Sequence, residues 1–242
     1  MLLIMGMVDI HSHILPGVDD GSTSWEVTIA MCEMAVKDGI THMVATPHSD
    51  DTYKYERRKH EATLQELRER LGGAMEFSLG CDFHMSFENI TAVRHTPAEF
   101  CLGRTNYLLV EFSDFGVSRT MLKTLEQFLD FGLMPIITHP ERNRMLQANP
   151  DLIIEMAEAG CLIQVTAGSL TGFWGTTAKK IAEWLLKQNA LHVLASDAHD
   201  PKHRVPILSK ARDAASAIVG EEIASLLVSE NPQAIVRGEI LS

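Results

Sequence analysis

An alternation between short apolar runs and longer amphipathic stretches constrains the fold of this chain more than any other feature of its sequence. The apolar runs predict β-strands at residues 7–10, 41–45, 76–79, 107–110, 134–137, 161–165 and 192–195. The amphipathic stretches predict helices at residues 25–37, 54–71, 119–131, 150–159, 178–188, 206–218 and 221–228. Gly39, Gly132 and Gly160 follow three of these helices, as expected for helix C-termini. The pattern predicts a single α/β domain over residues 1–242, built on a parallel sheet.

A closed barrel and an open, doubly wound sheet both satisfy that alternation. The open sheet is often accompanied by a glycine-rich phosphate loop, but the sequence contains neither GxGxxG nor GxxxxGK[ST]. We therefore favour a barrel of about seven parallel strands, in which functional residues gather where the strands end.

Composition narrows the classes of partner and compartment. The 242 residues are 45% hydrophobic and 22% charged, which excludes a disordered chain, and the net charge of −11 argues against nucleic acid as the main partner. The apolar opening, residues 1–8, is far shorter than the ~20 residues of a membrane-spanning helix, and it lacks the pattern of a secretion signal. Four scattered cysteines suit a reducing compartment. The sequence thus predicts a cytoplasmic protein with no membrane insertion.

Six of the seven predicted strands are followed by a histidine or a carboxylate side chain. These side chains are His11, His13, Asp19, Asp20, His48, Asp82, His84, Glu111, His139, Asp197 and His199. His11 and His13 are two residues apart, so both imidazoles project from one face of an extended chain. Mixed imidazole and carboxylate sets suit Zn²⁺, Mn²⁺ or Fe, and a set of this size could hold two or three ions. Each motif alone has an ordinary structural explanation, so the prediction rests on their joint placement.

Histidines elsewhere in the chain provide a comparison. His42 and His192 begin strands, at the opposite rim of a barrel, where stabilising roles are expected. His60 falls on a strongly charged helix and is predicted to be exposed. His203 lies near the predicted site, but the sequence does not assign it a role.

Arginines and aromatic residues complete the candidate site. Arg142 and Arg204 follow the histidine motifs closely enough to grip a phosphate with their planar donor groups. The aromatic residues that follow predicted strands and could stack on a substrate ring are Phe112, Phe115, Phe173 and Trp174. The sequence has no Cys-x5-Arg, DxD or GxSxG motif, which argues against a covalent nucleophile.

Four motifs together carry a resemblance to a known family. They are VDIHSHILPGVDDG at 8–21, ATPH at 45–48, HPER at 139–142 and SDAH at 196–199. In order and spacing they resemble the PHP (polymerase and histidinol phosphatase) superfamily, and more narrowly its bacterial protein-tyrosine phosphatases linked to capsular and exopolysaccharide synthesis. The resemblance spans nearly the whole chain. It implies a distorted (β/α)7 barrel, similar to a TIM barrel, with three divalent metal ions described as Mn, Fe or Zn.

Site roles carried over from the family fall on matching positions of this chain. The resemblance implies three groups of metal ligands: His11, His13 and Asp197 for one ion; Glu111 and His139 for a second, bridged to the first by Asp82; and Asp20, His48 and His199 for a third. It also implies that Arg142 and Arg204 contact the phosphate. The family pattern has Glu where this chain has Asp82, whose side chain is one methylene shorter, so the bridge depends on whether the Asp82 carboxylate reaches the centre of the site.

The resulting hypothesis is a metal-dependent phosphomonoester hydrolase acting on phosphotyrosine in a protein, which would include a bacterial tyrosine kinase of polysaccharide export. A metal-bound hydroxide would attack phosphorus in line, with Asp20 or His48 as the candidate general acid. One alternative is a histidinol-phosphate phosphatase or another small-molecule phosphoesterase of the superfamily. A second is a catalytically silent regulator that its metals only stabilise. A nuclease fits poorly with the acidic charge.

Overall fold

The computed structural model describes residues 6–113, 116–117 and 119–241. Within these ranges, all seven predicted strands are present, and two of them are interrupted. The strands are β1 Met7–Ser12, β2 Ile40–Ala45, β3 His48–Ser49, β4 Glu76–Leu79, β5 Asp82–His84, β6 Tyr107–Glu111, β7 Met134–Thr138, β8 Leu162–Thr166 and β9 Val193–Ala195. β2 and β3 are separated by two residues, as are β4 and β5, so each pair forms one barrel strand.

The strands form a ring of parallel neighbours. One sheet has the order β1-β2-β4 and the other β3-β5-β6-β7-β8-β9, and the interrupted strands connect the two sheets. A parallel bridge between Ser12 and Ala198 joins β1 to the segment that follows β9. The N–H of Asp197 donates to the carbonyl of His11 across the same seam, at 2.9 Å. The predicted barrel of about seven strands is therefore confirmed, with its parallel strands all ending at one rim.

Helices lie between and after the strands. They are α1 Trp25–Asp38, α2 Arg57–Leu71, α3 Phe87–His95, α4 Arg119–Asp130, α5 Arg144–Ala148, α6 Asp151–Glu158, α7 Ala167–Thr171, α8 Gly175–Lys187, α9 Ser209–Val219, α10 Glu221–Leu226 and α11 Glu230–Arg237. The seven predicted helices are present with each end within three residues of its predicted position. The sequence analysis missed α3, α5, α7 and α11, because these helices have only five to nine residues and show little periodicity.

Local capping explains where the helices begin and end. The Ser24 side chain accepts a hydrogen bond from the N–H of Val27 at the start of α1, and Gly39 ends that helix with a φ of 93°. The Asp38 carboxylate accepts hydrogen bonds from the N–H groups of Leu208 and Ser209, at 2.7 and 3.0 Å. An acid at the end of α1 thus caps α9, which ties two distant helices together.

Apolar side chains fill the space between the strands and the helices. These side chains form the larger apolar cluster of the protein. A separate, smaller apolar cluster includes Val8, Ile10, Leu109 and Ile136 from the strands, together with Ile235 of α11. These strand residues are fully buried, so the barrel is a packed core and not a channel. Within the described residues, no helix combines the length and apolarity needed to span a membrane.

Candidate metal centre

The predicted ligands converge at the rim where the parallel strands end. His11 and His13 leave the end of β1 with their Nε2 atoms 3.2 Å apart. The Oδ1 atom of Asp197, which follows β9, lies 3.5 Å from Nε2 of His11 and 3.4 Å from Nε2 of His13. These residues come from opposite ends of the sequence, and the closure of the barrel brings them together.

Asp20, His48 and His199 form a second group around one carboxylate oxygen. Oδ1 of Asp20 lies 3.3 Å from Nε2 of His48 and 3.3 Å from Nε2 of His199. His13 lies close enough to share this group, since one donor atom from each of the four residues falls within 4.8 Å of the others. The nearby imidazoles of His199 and His48 hold the pKa of Asp20 below its usual range, so this carboxylate is ionised.

Asp82 connects these histidines to the third group. Its Oδ2 atom lies 3.1 Å from Nδ1 of His48 and 3.5 Å from Nε2 of His11. Glu111, at the end of β6, lies 3.7 Å from His48 through Oε2 and 3.6 Å from Nε2 of His139 through Oε1. The structure therefore brings all nine sequence-predicted ligands into one continuous cluster.

The Asp82 carboxylate provides a direct test of whether a cation fits. Asp82 is fully buried, and imidazole nitrogens of His48 and His11 lie 3.1 and 3.5 Å from its Oδ2 atom, but among the described residues neither carboxylate oxygen makes a hydrogen bond of normal geometry. Nδ1 of His48 and Nε2 of His199 are also buried, and they too have only carboxylate neighbours that are poorly aligned for a hydrogen bond. Leaving a buried carboxylate without a partner is costly, whereas a divalent cation among these nitrogen and oxygen donors would satisfy it. The donor set thus fits a metal, and the shorter Asp82 side chain still reaches the centre of the cluster.

The backbone is strained at two of the ligands. His139 has a φ of 35° and Asp197 a φ of 52°, in the left-handed region that residues other than glycine rarely adopt. Such conformations persist only where the surroundings impose them, and they concentrate at functional sites. At both positions, the strained turn directs the side chain toward the cluster from the end of its strand.

Two polar side chains orient the β1 histidines from behind. Oδ2 of Asp19 lies 2.7 Å from Nδ1 of His13, and Oε1 of Gln164 lies 2.9 Å from Nδ1 of His11. Each contact places the Nδ1 proton on the side away from the cluster and leaves Nε2 free to bind a metal. The sequence analysis placed Asp19 near the site but missed Gln164, because a single amide within an apolar strand resembles an ordinary buried polar residue.

Two further buried acids support the loops of the site. The Glu141 carboxylate accepts hydrogen bonds from the N–H of Thr166 and the hydroxyl of Ser169, and burial raises its pKa to about 7. Asp9 likewise accepts from the N–H of Ser196, and burial raises its pKa to about 6. These bonds fix the segments that follow β8 and β9. The sequence analysis assigned no role to either residue.

Both predicted phosphate-binding arginines lie beside Asp197. The Arg204 guanidinium is 2.5 Å from Oδ2 of Asp197, and the Arg142 guanidinium forms a close ion pair with the same oxygen. Burial alone would raise the pKa of Asp197, but His11 above all, with the two arginines, holds it well below its usual range. The two guanidinium groups therefore lie at the edge of the metal-ligand cluster, where a phosphate bound to it would meet them.

A cavity of about 430 Å³ opens beside the cluster and is lined by Glu111, Phe112, His139 and Arg142, among others. Trp174 and His84 also line it, whereas the predicted ring-stacking residue Phe115 lies outside the described residues. Phe173 is 53% exposed at the rim. A larger cavity, of about 1040 Å³, lies elsewhere, and none of the nine ligands lines it. The size of a cavity therefore does not locate the chemistry of this protein.

The histidines used for comparison have structural contacts. Nε2 of His42 lies 2.8 Å from the Ser78 hydroxyl, and Nδ1 of His192 accepts from the N–H of Ile163 at 3.0 Å. His203 is exposed. The expectation that His60 is exposed is wrong: it is buried against the ring of Tyr55, because its position on α2 faces the core.

Curated proteins of known type are similar to this chain in sequence over most of their length. The chain is 32% identical to the tyrosine-protein phosphatase YwqE of Bacillus subtilis, over 97% of this chain and 93% of that protein. It is 33% identical to the putative tyrosine-protein phosphatase CapC of Staphylococcus aureus, over 82% of this chain and 79% of that protein.

Solved structures agree with this relationship. One crystal structure, from work on YwqE of B. subtilis and CpsB of Streptococcus pneumoniae, described as metal-dependent tyrosine phosphatases, superimposes with a TM-score of 0.90 at 32% identity. It covers 98% of this chain and 96% of the other. A histidinol phosphate phosphatase from Lactococcus lactis shares the fold alone, at 11% identity and a TM-score of 0.63, over 93% of this chain and 97% of its own. The sequence model for capsular polysaccharide synthesis proteins CpsB/CapC matches residues 7–237, and the chain belongs to this family.

Proposed function

We propose that this protein is a metal-dependent tyrosine phosphatase that acts in the regulation of capsule or exopolysaccharide synthesis. The observation that carries the proposal is the joint placement of nine metal-type ligands around the buried Asp82 carboxylate, with Arg142 and Arg204 beside them. Proteins that are similar to this chain over nearly its full length are named tyrosine phosphatases. Residues 1–242 act as one catalytic domain.

Three divalent ions of the Mn, Fe or Zn type fit the donor set. His11, His13 and Asp197 would hold one ion, and Glu111 and His139 a second, with Asp82 shared between them. Asp20, His48 and His199 would hold the third. Support comes from contacts of 3.1 to 3.7 Å that link these side chains, a spacing that suits donors around common ions. When bound, such ions supply Lewis acidity and lower the pKa of water toward ~7.

The chain's own residues then bind and orient the phosphate. Arg142 and Arg204 place two planar donor groups at one edge of the cluster, where they neutralise the charge of the phosphoryl oxygens. Asp19 and Gln164 hold the imidazoles of His13 and His11 in their ligating orientation.

No strong general acid is needed, since a phenolate leaves readily. Asp20 is ionised, and His48 is assigned with it to the third ion, so under this assignment neither of these two candidates is the general acid while the ion is bound. The Cys-x5-Arg nucleophile of cysteine phosphatases is absent from the sequence, and the four cysteines are buried. Buried free thiols also agree with the predicted reducing cytoplasm.

The cavity beside the ligands favours an aromatic phosphoester. Phe112 and Trp174 line it together with Arg142 and Glu111. At about 430 Å³ it has room for a tyrosine ring and a short stretch of peptide. A phosphotyrosine protein is therefore the proposed substrate, and a bacterial tyrosine kinase of polysaccharide export is the proposed physiological partner.

Hydrolysis of three phosphoesters tests the proposal. The Mn²⁺-loaded protein should release phosphate from a phosphotyrosine peptide faster than from a phosphoserine peptide or histidinol phosphate, and a chelator should abolish the activity. Asp82→Asn and Arg142→Ala should each lower turnover by about 10² or more, whereas His95→Gln, at an exposed position, should leave it unchanged.

Each failure has a separate meaning. Turnover that persists in chelator would refute the metal-dependent mechanism. Preference for histidinol phosphate would assign the small-molecule alternative. Full metal binding without turnover of any of the three substrates would identify a metal-stabilised regulator.

A further inference from the structure

Trp174 contacts both arginines at the edge of the metal-ligand cluster. It sits in the short turn between α7 and α8, and it is partly buried. The guanidinium carbon of Arg142 lies 3.8 Å from the centre of the indole ring, and that of Arg204 lies 5.4 Å from it. One aromatic ring thus contacts both candidate phosphate ligands, although they follow different strands.

We propose that Trp174 is a positioning residue that holds Arg142 and Arg204 in place for phosphate binding, an inference that rests on the proposed function. Arginine has several rotatable bonds and loses that freedom when it binds a phosphate. A guanidinium stacked on an indole is already restrained, and it is attracted to the ring face. Stacking uses the flat face of the guanidinium, so the N–H groups on its edge can bind Asp197, as they do here, and a phosphate oxygen beside it.

The surroundings of Trp174 fix the ring in this position. Gly168 of α7 lies against the indole edge, where an added Cβ atom would be 3.2 Å from both Cδ1 and Nε1. Phe173 contacts the indole edge to face, with ring centroids 5.1 Å apart. The indole can approach α7 this closely only because Gly168 has no side chain. The backbone of α7 therefore helps to fix the position of the indole ring.

Direct stacking of a substrate ring is the main competing role for Trp174. Trp174 does line the cavity of about 430 Å³, and it also lines a smaller one of about 150 Å³ with Arg204. However, the Arg142 guanidinium at 3.8 Å already covers one face of the indole. A substrate ring would have to displace Arg142 to stack there, so the geometry favours an effect of Trp174 that passes through the arginines.

Binding of inorganic phosphate to the Mn²⁺-loaded protein tests the inference without a substrate ring. Trp174→Leu should raise the dissociation constant of phosphate, measured by calorimetric titration, about three- to tenfold and reduce the rise in Tm that phosphate produces. Trp174→Phe keeps an aromatic face and should restore most of the affinity. Bound metal, measured by elemental analysis, should stay the same in all variants.

A matched control exists elsewhere in the chain. Arg70 stacks on Trp25 at 4.3 Å, and neither residue belongs to the candidate site. Trp25→Leu removes the same kind of contact and should leave the phosphate constant unchanged. Gly168→Ala serves as a second variant should Trp174→Leu fold poorly. Its added methyl group would push on the indole and should weaken phosphate binding in the same direction.

Coupling to Arg142 separates this role from others. In an Arg142→Ala background, Trp174→Leu should change the phosphate constant by less than about twofold, since its main target is gone. The positioning role would be overturned if Trp174→Leu weakened phosphate binding as much in the Arg142→Ala background as in the unaltered protein. It would also be overturned if Trp174→Leu and Trp174→Phe weakened phosphate binding equally. If Arg142→Ala weakens phosphate binding and Trp174→Leu does not, the positioning role of Trp174 is overturned, but the proposed function stays intact. A phosphate constant unchanged by Arg142→Ala would overturn the phosphate role of Arg142 and this inference together.

Discussion

Protons and metal ions compete for one imidazole nitrogen at the centre of the site. Nε2 of His11 lies 3.5 Å from Asp82 and 3.5 Å from Asp197. Burial lowers the pKa of His11, but these two carboxylates outweigh that effect and raise it to about 9. An imidazole must be neutral to bind a metal. We therefore predict that metal binding releases the His11 proton, and that the apparent metal affinity rises with pH.

The magnitude follows from the distance between the pKa and the working pH. At pH 7, about two units below a pKa of about 9, roughly 1% of His11 is neutral. Deprotonation then costs about 2.7 kcal/mol, so the apparent affinity is about 100-fold weaker than it is above pH 9. Without metal, the protonated form stabilises the fold. That stabilisation is complete below about pH 6.5 and is lost as the pH rises through about 9.

Calorimetric titration with Mn²⁺ measures both the metal affinity and the number of protons released on binding. The chelator-treated protein is titrated between pH 7 and 9 in two buffers that differ in their enthalpy of protonation, which reports the number of protons released. Near pH 7, binding at His11 should release about one proton, and the affinity should rise about tenfold per pH unit before levelling off. Asp82→Asn removes one of the two carboxylates that raise the pKa of His11, so its plateau should begin at a lower pH.

The control and the refuting results concern how steeply the metal affinity changes with pH, not the affinity at any one pH. His95→Gln changes an exposed histidine and should keep the slope of the unaltered protein. An affinity that is constant between pH 7 and 9, with no proton released, would refute the competition at His11. A plateau that stays at the same pH in Asp82→Asn would refute the electrostatic cause assigned to it.

Three other perturbations have defined outcomes. Burial raises the pKa of Glu141 to about 7, so the free energy of unfolding, measured in urea, should fall by roughly 3 kcal/mol between pH 4.5 and 7, and Glu141→Gln should remove that fall. A Cβ atom added at Gly21 would lie 2.2 Å from the carbonyl oxygen of His13, so Gly21→Ala should displace that ligand and weaken metal binding, measured by titration, by about ten- to a hundredfold. Burial raises the pKa of Cys32 and of Cys161 to about 12, so a thiol-reactive dye at pH 8 should label neither thiol until the protein unfolds.

The sequence predicted the strands and the ligands well because one physical rule governs both. Strands buried on both faces are continuous apolar runs, and a run that turns polar at its end indicates the functional rim of a barrel. Asp82 and Glu111 could be placed in this way without knowing which strands are neighbours. The interruption between β2 and β3, and that between β4 and β5, could not be predicted, because it depends on the register of the closed ring.

Residues that act through other residues were harder to predict. Gln164 and Trp174 have no motif of their own, and their contacts with His11 and Arg142 appear only once β8 and the turn before α8 are in place. His60 is different, because the signal was present. Together with Leu64 and Leu67 it occupies positions i, i+4 and i+7 of α2, which is the spacing of a buried helix face. The abundance of charge on α2 obscured that pattern.

The carboxylates at the rim that holds the metal-ligand cluster do not simply make the protein acidic. Burial and the neighbouring Asp82 carboxylate raise the pKa of Glu111 to about 8, whereas the pKa of Asp82 stays low beside His11 and His48. These carboxylates cannot all be ionised at neutral pH without added positive charge. Three divalent ions would bring six positive charges, which changes the net charge from −11 to −5 and makes the rim locally positive. A phosphate would then bind at a rim that is itself rich in carboxylates, so the net charge of the chain argues against anionic partners everywhere except at its own active site.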